Sequence, residues 1–137
     1  MNDSGEVVGF YQYDTAGDFS AFTDIGGSIT SFQFPGSAST QALGVNNLGD
    51  IVGDYILGGV MHGFVEDPGM FATLDPTGST ATTINGINDV GTVVGFYVNG
   101  AGSTIGTIGT VPEPSSLLLL AGGLLGMGAF AWRRKVG

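Results

Sequence analysis

Few side chains in this sequence could carry out catalysis. His62 is the single histidine and there is no cysteine, which excludes a thiolate nucleophile, a thiolate metal site and a disulfide framework. Serine and aspartate are present, but no segment has the spacing of a nucleophile elbow or another catalytic serine motif. The preceding copy of a repeat, described below, has Ser20 at the position of His62. The sequence therefore predicts a protein that is not an enzyme and has no cofactor.

Carboxylates are the other groups with chemical potential. Several lie in or beside turn-forming segments, where carboxylate and carbonyl oxygens together could ligate calcium. No stretch has the EF-hand spacing, and turn formation alone accounts for most of these residues. Glu66 and Asp67 are the best-placed candidate calcium ligands, although Glu66-Asp67-Pro68-Gly69 also suits an ordinary turn. The full set is Asp3, Asp50, Asp54, Glu66, Asp67, Asp75 and Asp89.

A threonine-rich segment, Gly78 to Thr83, allows an ice-binding interpretation. Ice-binding faces need regular threonine ladders across many strands, whereas this chain has one irregular patch, so a polar strand or loop is the simpler interpretation. A surface module that binds glycan, calcium or ice is kept as an alternative function.

Charge is distributed very unevenly along the chain. Its only basic residues are Arg133, Arg134 and Lys135, against twelve acidic residues and a net charge of −9. The chain before them is purely anionic and repels the phosphates of nucleic acids. No nucleic-acid partner is expected.

The elements that must position these residues come from a repeat. A pattern that begins Asn-Asx-x-Gly and continues as a strand occurs at residues 2–11, 46–55 and 88–97, offset by 44 and then 42 residues. Short strands joined by glycine turns follow it. In the first copy they are Glu6 to Tyr11, Phe19 to Thr23, Ile29 to Phe34 and, leading into the next copy, Ala42 to Val45.

Period-two alternation separates two faces of the strand that follows each Asn turn. Val7, Gly9 and Tyr11 share one face, and the other copies also place an aliphatic residue, glycine and tyrosine there. Because only this face is uniform, it is predicted to be the buried one. One position on the variable face is occupied by Phe10, Asp54 and Phe96.

A period of about 42 residues with about four strands matches a propeller blade. The predicted fold is therefore mainly β, with short antiparallel strands in propeller-blade-like repeats over residues 1–98. The repeat resembles bacterial extracellular HAF-type repeats. Their Gly-Ile-Asn-x-x-Gly-x-Ile-Val-Gly-x-Tyr pattern reappears at Gly86 to Tyr97, and their His-Ala-Phe landmark as His62-Gly63-Phe64. This resemblance implies an extracellular β-repeat protein and assigns no chemistry.

The repeat count favours a longer parent protein. Two intervals and part of a third do not close a propeller ring, which needs at least about four blades. The first copy begins at its own turn, and Met1 to Gly5 has no signal-peptide character. We therefore expect truncation at the N-terminus. A secreted enzyme whose catalytic part lies upstream is a further alternative function.

The C-terminal part contains a spacer, a short motif, an apolar run and a basic cluster. Residues 99–111 are rich in glycine, serine and threonine and are predicted to be a flexible linker that holds the motif clear of the body. The motif is Val111-Pro112-Glu113-Pro114. A helix over about residues 116–132 would nearly span a bilayer. Its large apolar side chains are those of Leu117, Leu118, Leu119, Leu120, Leu124, Leu125, Phe130 and Trp132.

The basic cluster sets the expected orientation. By the positive-inside rule Arg133, Arg134 and Lys135 remain cytoplasmic and act as an anchor, so the body faces outward. A permanent single-span anchor is one interpretation of this segment. The Pro-Glu-Pro tripeptide favours a sorting signal instead, because a rigid extended motif loses little entropy when an enzyme binds it.

This arrangement resembles the PEP-CTERM sorting domain of Gram-negative bacteria, with the signal itself at residues 112–137. Pro112, Glu113 and Pro114 match its signature tripeptide. The resemblance implies an exosortase-like membrane enzyme as a partner, and the lipid bilayer as a partner before processing. It also implies transit through the inner membrane to the cell surface or extracellular polysaccharide. The predicted function is therefore that of a non-enzymatic exported repeat protein.

Overall fold

The computed structural model describes residues 1–111 and 131–135, and all of its regular elements are strands. Among these residues, no helix is long and apolar enough to cross a membrane. The predicted mainly β, antiparallel class is confirmed. The strands are β1 Val7–Gln12, β2 Phe19–Ile25, β3 Ser28–Phe32, β4 Ser39–Val45, β5 Ile51–Leu57, β6 Val60–Asp67, β7 Met70–Thr73, β8 Ser79–Ile87, β9 Thr92–Asn99, β10 Thr104–Thr110 and β11 Ala131–Lys135.

These strands form three antiparallel sheets in which neighbours along the chain pair with each other. The first sheet has the order β1-β2-β3, the middle sheet β4-β5-β6-β7 and the last sheet β8-β9-β10-β11. Strand β8 has a register shift between Ser79 and Ala81. The edge strands β4 and β8 also share an equivalent bulge, between Ala42 and Gly44 in β4 and between Ile84 and Gly86 in β8. Both bulges lie two residues before the end of their strand, so the local geometry recurs with the sequence period.

The sheets stack in chain order, with one core at each junction. Strand β4 contacts β1 and β2 of the first sheet, and β8 contacts β4, β5 and β6 of the middle sheet. The first junction is rich in aromatic side chains, with Tyr55 and Phe64 fully enclosed and Phe34 stacked on Tyr55 at 3.7 Å between ring centroids. The second junction is aliphatic and includes Val65, Leu74, Ile84, Val93 and Val111.

The uniform face is buried in two of its three copies. Ile51 and Tyr55 lie in the first junction, and the equivalent Val93 and Tyr97 are also buried. In the first copy the prediction is wrong: Val7 and Tyr11 are exposed, since within the described residues no sheet packs against their side of β1.

The glycine that recurs on this face in each copy has a packing cause in the middle and last sheets. A Cβ on Gly53 would lie 1.8 Å from the backbone oxygen of Gln41, and one on Gly95 would lie 2.1 Å from that of Thr83. Real Cβ atoms do not approach so closely, so only glycine lets β5 and β9 lie against the bulged strands β4 and β8.

The segment expected to be a linker is largely a strand. β10 pairs with β9 along its full length, from Thr104 opposite Val98 to Thr110 opposite Thr92. Ile105 lies opposite Tyr97, as His62 lies opposite Tyr55 and Ser20 opposite Tyr11. The strand was missed because this copy lacks the aromatic landmark and is rich in glycine. The body therefore extends to Val111 rather than ending near residue 98.

The predicted membrane helix lies mostly outside the described residues, which resume at Ala131. Ala131 and Trp132, assigned to the helix end, instead begin β11, together with the basic cluster. This strand pairs with β10 from Thr110 opposite Ala131 to Gly106 opposite Lys135. The physical reason is that β10 pairs with β9 on one side only, and a sheet edge of unpaired backbone groups accepts another strand.

Candidate functional site: stacked Asn turns, carboxyl groups and the sorting motif

Each copy of the repeat opens with a turn built by one asparagine. The side-chain oxygen of Asn46 accepts hydrogen bonds from the backbone N–H of Leu48 and Asp50, at 3.0 and 2.9 Å. Asn2 and Asn88 make the same pair of bonds two and four residues onward. A glycine in the left-handed region, such as Gly49 with φ 84°, completes each turn.

The same turn occurs a fourth time, where sequence comparison did not indicate it. Asn99 accepts hydrogen bonds from Ala101 and Ser103, both at 3.0 Å, and Gly102 has φ 83°. This turn joins β9 to β10. The Asn-x-x-Gly spacing was visible in the sequence, but it was hidden within a segment interpreted as a linker.

The three repeat-opening turns stack on one another through their asparagines. The amide of Asn2 donates to the backbone oxygen of Asn46 at 2.9 Å, and the amide of Asn46 donates to that of Asn88 at 3.0 Å. The side chains of Asn2 and Asn46 therefore donate in the same direction along the stack. We call Asn2, Asn46 and Asn88, with the residue that follows each, the Asn ladder.

The residues that follow these asparagines, Asp3, Asn47 and Asp89, form a second row of hydrogen bonds in the ladder. Asn47 lies between Asp3 and Asp89, and its side-chain amide donates to both carboxylates, at 3.0 and 2.8 Å. Its backbone N–H also donates to Asp89 at 2.8 Å. These bonds lower the pKa of the Asp89 carboxyl, because they stabilise its charged form. A neutral amide thus separates two charges.

A cluster of carboxyl groups lies beside the ladder, where the first and middle sheets meet. Asp50 is only 7% exposed, and within the described residues its Oδ1 has no hydrogen-bond partner, while Oδ2 accepts from the amide of Asn46 at 2.9 Å. Burial raises the pKa of Asp67, and the neighbouring Asp50 raises it further. Burial also raises the pKa of Glu66, with Glu6 among the charges that add to the effect.

This cluster joins the two predicted calcium candidates, Glu66 and Asp67, to Asp50 and Glu6. Within residues 1–111 and 131–135, no three His, Asp or Glu side chains are grouped so as to hold a metal ion. Burial and the neighbouring carboxyl groups raise the pKa of both Glu66 and Asp67, so these two groups favour the protonated form more than exposed carboxyl groups do.

Asp54 is a buried carboxyl group on the variable face, opposite the face that was predicted to be buried. It lies in the middle of β5, and burial raises its pKa to about 6, against a weaker opposite effect of the hydrogen bond that Thr83 donates at 3.1 Å. The sequence contained a signal of this burial, because the other two copies have phenylalanine, Phe10 and Phe96, at the position of Asp54. Asp54 lines a small pocket together with Gly17, Asp18, Phe19, Ser39, Gln41, Ile56 and Met61.

His62 is paired with Asp75, a contact that the sequence did not indicate. Nδ1 of His62 lies 2.5 Å from Oδ2 of Asp75, whose Oδ1 accepts the backbone N–H of Gly63 at 3.0 Å. The nearby hydroxyl groups of Tyr55 and Thr73 bond each other at 2.6 Å. These bonds hold the chain after β7 against β6.

The sorting motif begins on the body and not at the end of a spacer. Val111 is buried in the aliphatic core, and its N–H donates to the backbone oxygen of Gly91 at 2.7 Å. Of the predicted sorting residues, Pro112, Glu113 and Pro114 lie outside the described part of the chain. So do the predicted helix residues Leu117, Leu118, Leu119, Leu120, Leu124, Leu125 and Phe130. For Trp132, Arg133, Arg134 and Lys135 the structure describes the backbone of β11.

Comparison with known proteins identifies the C-terminal segment. Residues 110–135 match the family described as the PEP-CTERM protein-sorting motif. Searches of curated proteins and of solved structures give no match. The matched range contains the tripeptide, the apolar run and the basic cluster, which are the features singled out in the sequence. The chain therefore carries a PEP-CTERM sorting signal, which implies membrane transit, processing by an exosortase-type enzyme and export to the cell surface.

Proposed function

We propose that this chain is a non-enzymatic exported repeat protein, delivered to the cell envelope or extracellular polysaccharide by its C-terminal signal. The observation that carries the proposal is the sorting-motif match at residues 110–135, which directly adjoins the folded body at Val111. In the membrane-inserted state before processing, the body faces outward and Arg133, Arg134 and Lys135 lie on the cytoplasmic side, so β11 is not paired with β10 in that state. The lipid bilayer is the partner of the apolar run at this stage.

The architecture of the body supports a structural role. Its three antiparallel sheets pack on one another in chain order. Hydrogen bonds between the equivalent Asn turns link the sheets further. We infer that these are propeller-blade-like repeats of the HAF type. The His62–Asp75 pair fixes a chain segment, and the pocket beside Asp54 is small. These features suit a scaffold better than an enzyme.

The sorting role is tested in a host that contains an exosortase. Replacing Pro112, Glu113 and Pro114 by alanine is expected to abolish delivery to the surface and to leave the C-terminal segment attached. Pro68→Ala, at an exposed turn of the body, is the control for loss of a proline. Mass spectrometry of the surface fraction reads out whether the tail is present. Unchanged delivery of the alanine variant, with a full-length tail, would show that the segment is a plain anchor.

A further inference from the structure

Departures from the repeat concentrate at the pocket beside Asp54. The middle copy has a carboxyl group at this position, whereas the first and last copies have Phe10 and Phe96. Gln41 lies directly opposite Asp54 on β4, and it departs as well, because β8 has Thr83 at the equivalent position. Positions that serve only the fold are expected to recur between copies. A polar pair confined to one copy therefore indicates a functional site.

A loop between β1 and β2 forms one wall of the pocket. This loop, residues 13–18, is two residues longer than the equivalent segment at residues 57–60, and part of it lines the pocket. The hydroxyl of Tyr13 donates to the backbone oxygen of Ala38 at 2.8 Å, which ties the loop to the chain just before β4. Inside the loop, a backbone N–H donates to the side chain of Asp14 at 3.0 Å. Because these bonds hold the wall in place, little entropy is lost when a ligand binds.

The pocket presents two hydrogen-bonding groups next to an aromatic ring. Oδ2 of Asp54 accepts the hydroxyl of Thr83 at 3.1 Å, and this is the only bond to that carboxyl group within residues 1–111 and 131–135. The side-chain amide of Gln41 makes no hydrogen bond to any described residue. Phe19 lines the same pocket, and the ring of Phe10 packs edge-to-face with it at 5.2 Å between centroids. A ligand therefore meets a carboxyl group, an amide and an aromatic ring.

We propose that this pocket binds one ring of a neutral polysaccharide built of hexoses. Neighbouring hydroxyl groups of a sugar both donate and accept hydrogen bonds, so they match a carboxyl group that lies opposite an amide. The apolar C–H face of the ring packs on an aromatic side chain. Counted with its open mouth, the pocket is about 330 Å³, so it takes one ring while neighbouring units lie in solvent. The proposal rests on the proposed delivery of the chain to the cell surface.

Charge selects against other classes of sugar. Asp18 and Asp54 both line the pocket, and none of the described residues that line it is cationic. Uronic acids and sulfated or phosphorylated sugars are therefore repelled. An amino sugar is attracted by the net charge of −9 wherever it meets the chain, so its binding does not identify the pocket. A neutral sugar depends on hydrogen bonds and ring packing, which are the contacts that this pocket provides.

Calorimetric titration of the purified full-length chain tests the proposal. The chain is kept in a zwitterionic detergent without a sugar headgroup, and the probes are neutral hexasaccharides of glucose, galactose and mannose. We expect at least one of them to bind with a dissociation constant of about 1 mM, because the polar contacts are few. No binding of any of the three at about ten times that concentration would overturn the proposal. Binding of a glucosamine hexasaccharide alone would also overturn it. The measurement does not involve sorting, so its failure leaves the proposed export unaffected.

Two substitutions replace pocket residues with those of another copy. Gln41→Thr introduces the residue of β8, and Asp54→Phe introduces that of β1 and β9. Each should weaken binding about fivefold or more, because a hydrogen bond to the sugar is lost. Asp24→Asn removes a negative charge at the other end of β2 and should leave binding unchanged.

Thermal unfolding checks that each variant is folded. Gln41 is only half-buried, so Gln41→Thr keeps the test decisive even where Asp54→Phe fails to fold. Equal binding by the natural chain and Gln41→Thr would contradict the assignment of the pocket. Weaker binding by Asp24→Asn would show that the sugar is held elsewhere, and that result would contradict it as well.

Discussion

Asn47 donates its side-chain amide to the carboxylates of both Asp3 and Asp89, so one residue of the middle turn joins the turns of three consecutive repeat copies. The alternation of aspartate, asparagine and aspartate lets the turns stack without bringing two charges together. The stacking spans 44 residues of sequence on one side and 42 on the other. The ladder therefore connects all three sheets independently of their apolar cores.

Asn47→Asp is predicted to destabilise the body. It would replace two donated hydrogen bonds with a third carboxylate in a row, which we expect to cost roughly 1–3 kcal/mol. Chemical denaturation at neutral pH measures the change. Asn99→Asp is the control, since the bonds given for Asn99 are accepted from backbone N–H groups and this turn lies outside the ladder. Equal effects of the two changes would argue against a special role for the stack.

Gly53→Ala is predicted to disrupt the middle sheet. The added Cβ would lie 1.8 Å from the oxygen of Gln41, so β4 or β5 must shift, and overpacking of this kind costs roughly 1–3 kcal/mol or more. Gly100→Ala is the matched control, because a Cβ there meets nothing within 4 Å. Thermal unfolding should separate the two variants clearly. A mild effect at position 53 would mean that the bulged strand yields easily.

Asp54→Asn is predicted to stabilise the body at neutral pH. Burial raises the pKa of Asp54 from 3.8 to about 6, so folding favours the protonated form. Its contribution to stability is fully present below the unfolded pKa and is lost as pH rises through about 6. Asparagine stays neutral and can still accept the hydrogen bond from Thr83. We expect a gain of roughly 2 kcal/mol above pH 7 that disappears near pH 4.

Denaturation across that pH range measures the Asp54 effect. Asp14→Asn serves as a control for the loss of one negative charge. A gain that is independent of pH would contradict the assignment, since it would then arise from something other than the titration of Asp54.

Ile105→Ala tests whether the segment after β9 is a strand of the body or a linker. Ile105 is buried in β10, so truncation should cost roughly 2–5 kcal/mol. Ile29→Ala, at a residue that is 65% exposed, should change the free energy of unfolding little. Urea unfolding followed by far-UV circular dichroism provides the comparison. Indistinguishable midpoints would restore the linker interpretation.

Sequence patterns predicted those features that local chemistry decides. The Asn turns follow from an asparagine that bonds its own backbone and a glycine that accepts positive φ, and both residues are visible in the printed sequence. The strand alternation of Ile51 and Tyr55 follows from period two. The sorting signal at residues 110–135 was recognisable because it combines three independent features in a fixed order.

Features that depend on neighbouring sheets were not predictable in the same way. Val7 and Ile51 occupy equivalent positions, yet only Ile51 is covered, because burial depends on which sheet packs alongside. β10 was not predicted, because Ile105 stands at the position of His62 and because two glycines interrupt the alternation of apolar and polar residues that identifies a strand. The pairing of His62 with Asp75 depends on the path of the chain after β7, which no local pattern specifies.

The different chemistry of the two junctions has a consequence for how such a chain can evolve. Recombination between equivalent Asn turns could delete one period without disturbing any turn. Recombination between the Asn46 and Asn88 turns, for example, would remove β5 to β8 and pair β4 with β9, so that Thr107 takes the place of Phe64 in the core against Ala21. The turns tolerate such an exchange, but the cores do not. Gain or loss of copies is therefore constrained at the sheet faces, and each sheet has a fixed place in the series.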